Sequence, residues 1–120
     1  MKNKSSSYKS GRLAELLARM YLRLQGYSIV SKNHITGRGT KAGELDIIAK
    51  RGHTIAFVEV KKRKTLEDAS YAISENQKQR IRRGSEAFLQ KHPEYQNCDI
   101  RYDAILVKLP FTIKHIKSAW

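Results

Sequence analysis

Cysteine and proline are nearly missing from this chain of 120 residues, which holds one of the first and two of the second, and its 11 acidic residues face 24 basic ones. The single cysteine, Cys98, excludes an internal disulfide and a cysteine-held zinc site, and it fits a reducing compartment. Cys98 follows Asn97 and precedes an apolar stretch, the setting of a packed structural thiol more than of a nucleophile. No apolar run is long enough to span a bilayer, and the N-terminus, MKNKSSSYK, has no apolar centre for a signal peptide, so a cytoplasmic place is expected. The four histidines, His34, His53, His92 and His115, lack metal-ligand spacing and read as surface or strand-end residues.

The shortage of acids leaves a formal charge of +13, which implies a polyanionic partner. Nucleic acid is the first candidate, because neutralising phosphates and releasing counterions gives affinity without sequence readout. A membrane partner is not expected, since no long helix pairs a basic face with a bulky apolar one. An acidic protein partner and plain solubility are the other readings of such charge. With 40% hydrophobic residues the body should fold, and its length suits one domain over 10–120 behind a flexible basic tail over 1–9.

From Gly11 to Gln25, Leu13, Leu16, Leu17, Met20, Tyr21 and Leu24 recur at helical spacing, which predicts an amphipathic helix capped by Ser10 and stopped at Gly26. Ala14, Ala18 and Leu22 form a second apolar face beside Glu15, which is either a third acid over a site or the i, i+4 partner of Arg19. Tyr27 to Lys32 reads as a strand. The loop TGRGTKAG over 36–43, with Arg38 and Lys41, is open enough for a DNA backbone to approach, and it lacks the spacing of a nucleotide-binding loop.

Next comes GELDIIAKRGHTIAFVEVKKR over 43–63, two apolar runs about a turn at Arg51, Gly52 and His53. That pattern predicts a hairpin. Side chains alternate along a strand, so Glu59 and Lys61 share a face, and the hairpin carries Asp46 across from them. Two carboxylates and an ammonium on apolar strands need compensation for their desolvation, and together they form a set suited to a divalent cation and a phosphate. A surface ion pair between Asp46 and Lys61 is the plainer alternative. The run Lys61, Lys62, Arg63 and Lys64 places positive charge beside these carboxylates.

Residues 65–73 lack periodicity and are expected to border the site. Ser74 to Gln77 matches the capping-box form S-x-x-Q, which predicts a helix to about Lys91, before His92 and Pro93. Gln77, Ile81, Ser85, Phe88 and Leu89 share its inner face; Gln77 and Lys78 stand where a helix N-terminus holds an anion or a water. Arg80, Arg82 and Arg83 continue the basic surface. Asp99 to Val107 reads as an inner strand and Phe111 to Ile116 as an edge strand, with Asp103 open to the acid cluster or to Arg101 or Arg12. Helix, three strands, helix and two strands predict an α/β fold, a mixed sheet with helices packed against it.

Glu15, GELD at 43–46, FVEVKKR at 57–63 and the helix of Gln77 and Lys78 together resemble the PD-(D/E)XK nuclease superfamily. More closely the chain resembles the YraN-like family of bacterial predicted endonucleases, itself similar to archaeal Holliday junction resolvases. This resemblance implies a restriction-endonuclease-like mixed sheet of about five strands. It implies that Asp46, Glu59, the Val60 backbone carbonyl and Glu15 hold magnesium, with manganese as a substitute. Lys61 is then the catalytic lysine, Glu15 the helical acid and Gln77 or Lys78 the accessory group. Leu45 stands where the superfamily's name has proline. The activity implied is metal-dependent cleavage of DNA, double-stranded or branched, with Arg38, Lys41, Lys62, Arg63, Lys64, Lys78 and Arg82 on the backbone. A homodimer with two sites would suit a junction. The competing expectation is a nucleic-acid-binding accessory protein that keeps the nuclease fold without turnover.

Overall fold

The computed structural model describes residues 4–35, 44–64 and 73–120. Helix α1, Lys4–Leu24, begins six residues ahead of Ser10, so 4–9 of the expected flexible tail are helical, while 1–3 lie outside the described residues. No proline or glycine interrupts Lys4 to Ser10, and a nucleated helix extends through such a segment one hydrogen bond at a time. At the other end Gly26 adopts φ 91° while Gly26 N–H donates to Arg23 and Tyr27 N–H to Leu22. Glycine takes this left-handed conformation without a Cβ clash, and the chain turns there into the sheet.

Strands β1 (Ser28–Ile35), β2 (Glu44–Arg51) and β3 (Thr54–Lys62) form an antiparallel meander. Gly52, at φ 59°, occupies the first central position of the two-residue β2–β3 turn and sets the register that pairs Arg51 with Thr54 and Ile47 with Val58. Helix α2, Glu75–Lys91, then carries the chain over to β4, Asp99–Lys108, which runs parallel to β3; a short 3-10 turn, Pro93–Tyr95, precedes it. Strand β5, Thr112–Ile116, closes the far edge antiparallel to β4. The five strands lie in sequence order, β4 inside and β5 at the edge. This α/β architecture, a mixed five-stranded sheet flanked by two helices, is the one the element order and the resemblance imply.

The sheet is buried on both faces. On one, Ala14, Ala18 and Leu22 of α1 pack with Ile47, Ala49, Ala56, Val58, Val60, Ile105 and Val107. On the other, Ile81 and Phe88 of α2 pack with Leu45, Ile48, Ile55 and Phe57, and Leu106 and Ala104 continue that side with Ile73. The α1 contact corrects the helical stripe expected from side-chain size. Leu13, Leu16, Met20 and Leu24 are exposed, Leu24 at 84%, and only Leu17 and Tyr21 of that stripe reach the core. Alanines at 14 and 18 let the helix backbone approach a fully covered sheet, and the closer approach buries more backbone and β-branched surface than the leucine stripe would. No helix among the described residues is long and apolar enough to cross a membrane.

Candidate active site

Asp46 and Glu59 meet just beyond the last β2–β3 pair, Ile47 with Val58, at the end of the strands away from the turn. Phe57 packs on Phe88 of α2 at a ring separation of 6.1 Å, so by alternation Glu59 and Lys61 project to the α2 side. Asp46 Oδ2 accepts a hydrogen bond from Val60 N–H at 2.9 Å. Lys61 Nζ stands 3.2 Å from Glu59 Oε2. The convergence read from strand alternation is therefore present: two carboxyls and an ammonium at the end of the sheet away from the hairpin turn.

Its electrostatics are uneven. Glu59 is only 8% exposed, and burial, reinforced by the hydrogen bond and the negative charge of Asp46, pushes its carboxyl up to about 8. Lys61 pulls the other way but does not offset desolvation. Near neutral pH Glu59 is thus held protonated, its proton shared in the hydrogen bond to Asp46. Such a pair fits a hard divalent cation, which prefers oxygen ligands and takes the place of the shared proton.

The proton also sets a stability slope for the metal-free protein. Glu59 binds its proton more tightly folded, at about 8, than at the ordinary value of 4.5, so the folded state loses stability as pH rises between those values. Glu59→Gln keeps a hydrogen-bonding neutral group and removes that loss. In EDTA at pH 8 it should raise the unfolding free energy by roughly 4 kcal/mol, against less than about 1 kcal/mol at pH 5. Denaturant melts at the two pH values check this; equal shifts at both would show that Glu59 is not held protonated.

The remaining expected residues divide. Glu15 is half-buried on α1, over the opposite sheet face, and has interactions of its own. No group of three or more His, Cys, Asp or Glu side chains suited to a metal forms among the described residues, so Glu15 does not complete a three-carboxylate site with Asp46 and Glu59. The reason is geometric: α1 covers the sheet face opposite to the one to which Glu59 projects, and Glu15 borders its Ala14, Ala18 and Leu22 contact there. Gln77 serves the capping box, its N–H donating to Ser74 Oγ at 3.2 Å and its Oε1 accepting from Ser74 N–H at 3.4 Å. Lys78 pairs with Glu75 at 3.4 Å. The Arg82 guanidinium lies 5.8 Å above the Tyr102 ring. Arg38, Lys41 and most of the stretch expected to border the site, 65–72, lie outside the described residues.

Lys62, Arg63 and Lys64 line an open hollow at the ends of β3 and β4, together with Lys108 and Leu109. Lys108 is an addition that sequence reading missed. It joins the others because β3 and β4 are parallel, Lys62 opposite Val107, with Arg63 N–H donating to Val107 O at 2.9 Å. Only the pairing of the two strands could have revealed it.

Asp103, open between two roles in the sequence, belongs to the other face. It is fully buried, takes two hydrogen bonds from Arg101 at 2.8 Å each, lies 2.8 Å from His115 Nε2 and accepts from Ser118 N–H at 3.1 Å. Arg101 also reaches the Tyr27 hydroxyl, and Tyr21 reaches His115 Nδ1. His115 is thus no surface residue but part of a buried network linking α1, β4 and β5.

Comparison with known proteins gives a match to the model of the uncharacterised protein family UPF0102 over residues 14–107. The chain is 45% identical to a UPF0102 protein of Paramagnetospirillum magneticum, with 96% of this chain and 89% of that protein aligned. It is 37% identical to one from Rhodopseudomonas palustris and 38% to one from Bradyrhizobium diazoefficiens, over 96% of this chain and 85% and 84% of those proteins.

Proposed function

The chain belongs to the uncharacterised protein family UPF0102, and on that premise we propose that it is a metal-dependent endonuclease that hydrolyses DNA phosphodiesters, selective for structure more than for sequence. The observation that carries this reading is the contact of half-buried Asp46 with buried Glu59, with Lys61 beside them. Holding a buried carboxyl against a half-buried one does not favour stability, since each like charge disfavours ionisation of the other. A cation held between them removes that conflict.

Asp46 and Glu59 would hold magnesium or manganese, which supplies an activated water and neutralises charge building on the scissile phosphate. Val60 N–H fixes the Asp46 carboxylate in place. Lys61, tethered by Glu59, offers an ammonium to the oxygen on which negative charge grows. The cations around the strand-end hollow would grip the backbone next to the cut.

A second reading, an accessory DNA-binding protein without turnover, is favoured by the lack of a third carboxylate among the described residues. The two separate in a cleavage assay with magnesium or manganese on single-stranded, duplex, flapped and four-way-junction DNA. Metal-dependent cutting that EDTA stops is the expected result; binding to every substrate without cutting would sink the enzyme. Neutralising Lys62, Arg63 and Lys64 together should make the plot of log affinity against log salt shallower by about 2 to 3 on either reading. An unchanged slope would remove the strand end from the DNA contact.

A further inference from the structure

The outer face of α2 carries chemistry that the carboxylate site does not use. Ile81, Gly84, Ser85 and Phe88 turn inward, and the opposite face presents Asn76, Gln79, Arg80 and Arg83, all exposed and lining one open hollow. These four stand at i, i+3, i+4 and i+7, which puts them side by side over two turns. Gln90 and Lys91 continue the row at the C-terminal end. Of the nearby acids, Glu75 is paired with Lys78, and Glu86 lies at the margin of the row.

We propose that this face of α2 is a duplex-DNA contact surface that enters the major groove. The choice of occupant follows from what the face holds and what it lacks. The arginines give it the sign of charge that a polyanion requires. It has no bulky apolar side chain, because Ile81, Phe88 and Leu89 are committed to the core, so it lacks the anchors on which a protein partner would dock. It has no aromatic ring on which unpaired bases could stack, which disfavours single strands. An α-helix about 10–12 Å across fits the major groove of B-form DNA, about 12 Å wide, and not the narrow deep groove of duplex RNA. Asparagine, glutamine and arginine side chains also donate to the phosphates that border that groove, which requires no base readout.

Position supports the same partner. Ile81 packs with Leu45, the neighbour of Asp46, so the helix stands directly over the strand that bears the candidate ligand. A duplex seated on the outer face would lie on the side of the sheet to which Glu59 and Lys61 project. The inference shares with the nuclease reading its partner class, DNA, and does not depend on turnover.

The test is binding in EDTA, by fluorescence anisotropy, of a labelled duplex of about 20 base pairs between about 50 and 200 mM salt. Arg80→Ala with Arg83→Ala should weaken binding at least tenfold and make the salt slope shallower by about 2. Both positions are exposed and alanine favours helix, so circular dichroism should show an intact fold. Wild-type protein should also lose affinity for a duplex whose major groove is filled by glucosylated 5-hydroxymethylcytosine. Unchanged affinity and slope in the double variant would overturn the proposal. So would undiminished binding to the blocked duplex, or an equal loss on single-stranded DNA, duplex RNA and polyglutamate. The nuclease reading fails separately: loss of EDTA binding in a protein that never cuts keeps this surface, whereas cutting that depends on Asp46 with binding untouched by the arginine changes keeps only the enzyme.

Discussion

Asp46→Ala is expected to reduce metal-dependent DNA cleavage by at least about 10³-fold while leaving duplex binding in EDTA within about twofold. The size follows from what the carboxylate does twice. On the proposed reading it would supply one of two acidic ligands, and its hydrogen bond from Val60 N–H at 2.9 Å fixes the strand beside Glu59. Alanine removes both functions and leaves the Val60 donor without its acceptor, a loss of about 1–3 kcal/mol if water does not enter. Asp46→Asn separates the two effects, since the amide oxygen still accepts from Val60 but carries no charge. Cleavage should therefore fall nearly as far in the asparagine protein, with stability close to that of wild type. Lys61→Ala should lose about 10²- to 10³-fold in rate, because only charge development on the phosphate is affected. Activity in the Asp46→Asn protein equal to wild type would remove this residue from the metal site. Parallel DNA-binding measurements show whether any loss lies in turnover or in affinity.

The largest effect on stability is expected at Asp103. Its carboxylate has no exposed surface, and Arg101, His115 and Ser118 all converge on it. The His115 and Ser118 contacts to this carboxylate join β4 to β5 and to the turn after it, while the ion pair with Arg101 lies within β4. Removing one member of a buried pair leaves the other charge desolvated, so Asp103→Ala should cost about 3–5 kcal/mol. That is a large share of the roughly 5–15 kcal/mol by which a domain is stable. Asp103→Asn should lose less, because the amide oxygen still accepts from Ser118. Burial raises the Asp103 carboxyl, yet hydrogen bonds from His115, Arg101 and Ser118 and the Arg101 charge together bring it below the ordinary 3.8. A carboxylate that binds its proton less tightly when folded contributes stability that is whole above the unfolded value and is lost as pH falls through the folded one. Wild-type stability should accordingly drop below about pH 3.8, and Asp103→Asn should flatten that drop. Urea melts at pH 7 and pH 3 read both effects. A loss under about 1 kcal/mol for Asp103→Ala at pH 7 would show that the buried network contributes little.

The same two acids mark how far the sequence alone reaches. Asp46 opposite Glu59 was legible because everything that sets it is local: apolar alternation on each side of Arg51 to His53, and a glycine free to take the positive φ of the turn. The start of α2 was equally legible, since the capping box is written within four residues, Ser74 to Gln77. The order of elements followed from such short-range signals. Asp103 could not be assigned that way. Arg101 is two positions off and on the same strand face, but His115 and Ser118 arrive only when β5 folds back antiparallel on β4. Lys108 likewise joins the other cations only through the parallel pairing of β3 and β4, and no local pattern specifies which distant strand is the neighbour.

Helix α1 shows the division most plainly. Local signals suffice to make 11–24 helical and to end the helix at glycine, because backbone preference and capping act within a turn. Its rotation about its axis was decided by the sheet. Leu13, Leu16 and Met20 make the larger stripe, but contact with a surface of Ile47, Ala49, Val58 and Val107 rewards close approach, which Ala14 and Ala18 allow and leucines prevent. The same choice leaves Glu15 half-buried at the margin of that contact, over the sheet face opposite to the one to which Glu59 projects. Hydrophobic periodicity measures how apolar a face is, whereas packing selects the face whose shape fits, and shape exists only once the other elements are in place.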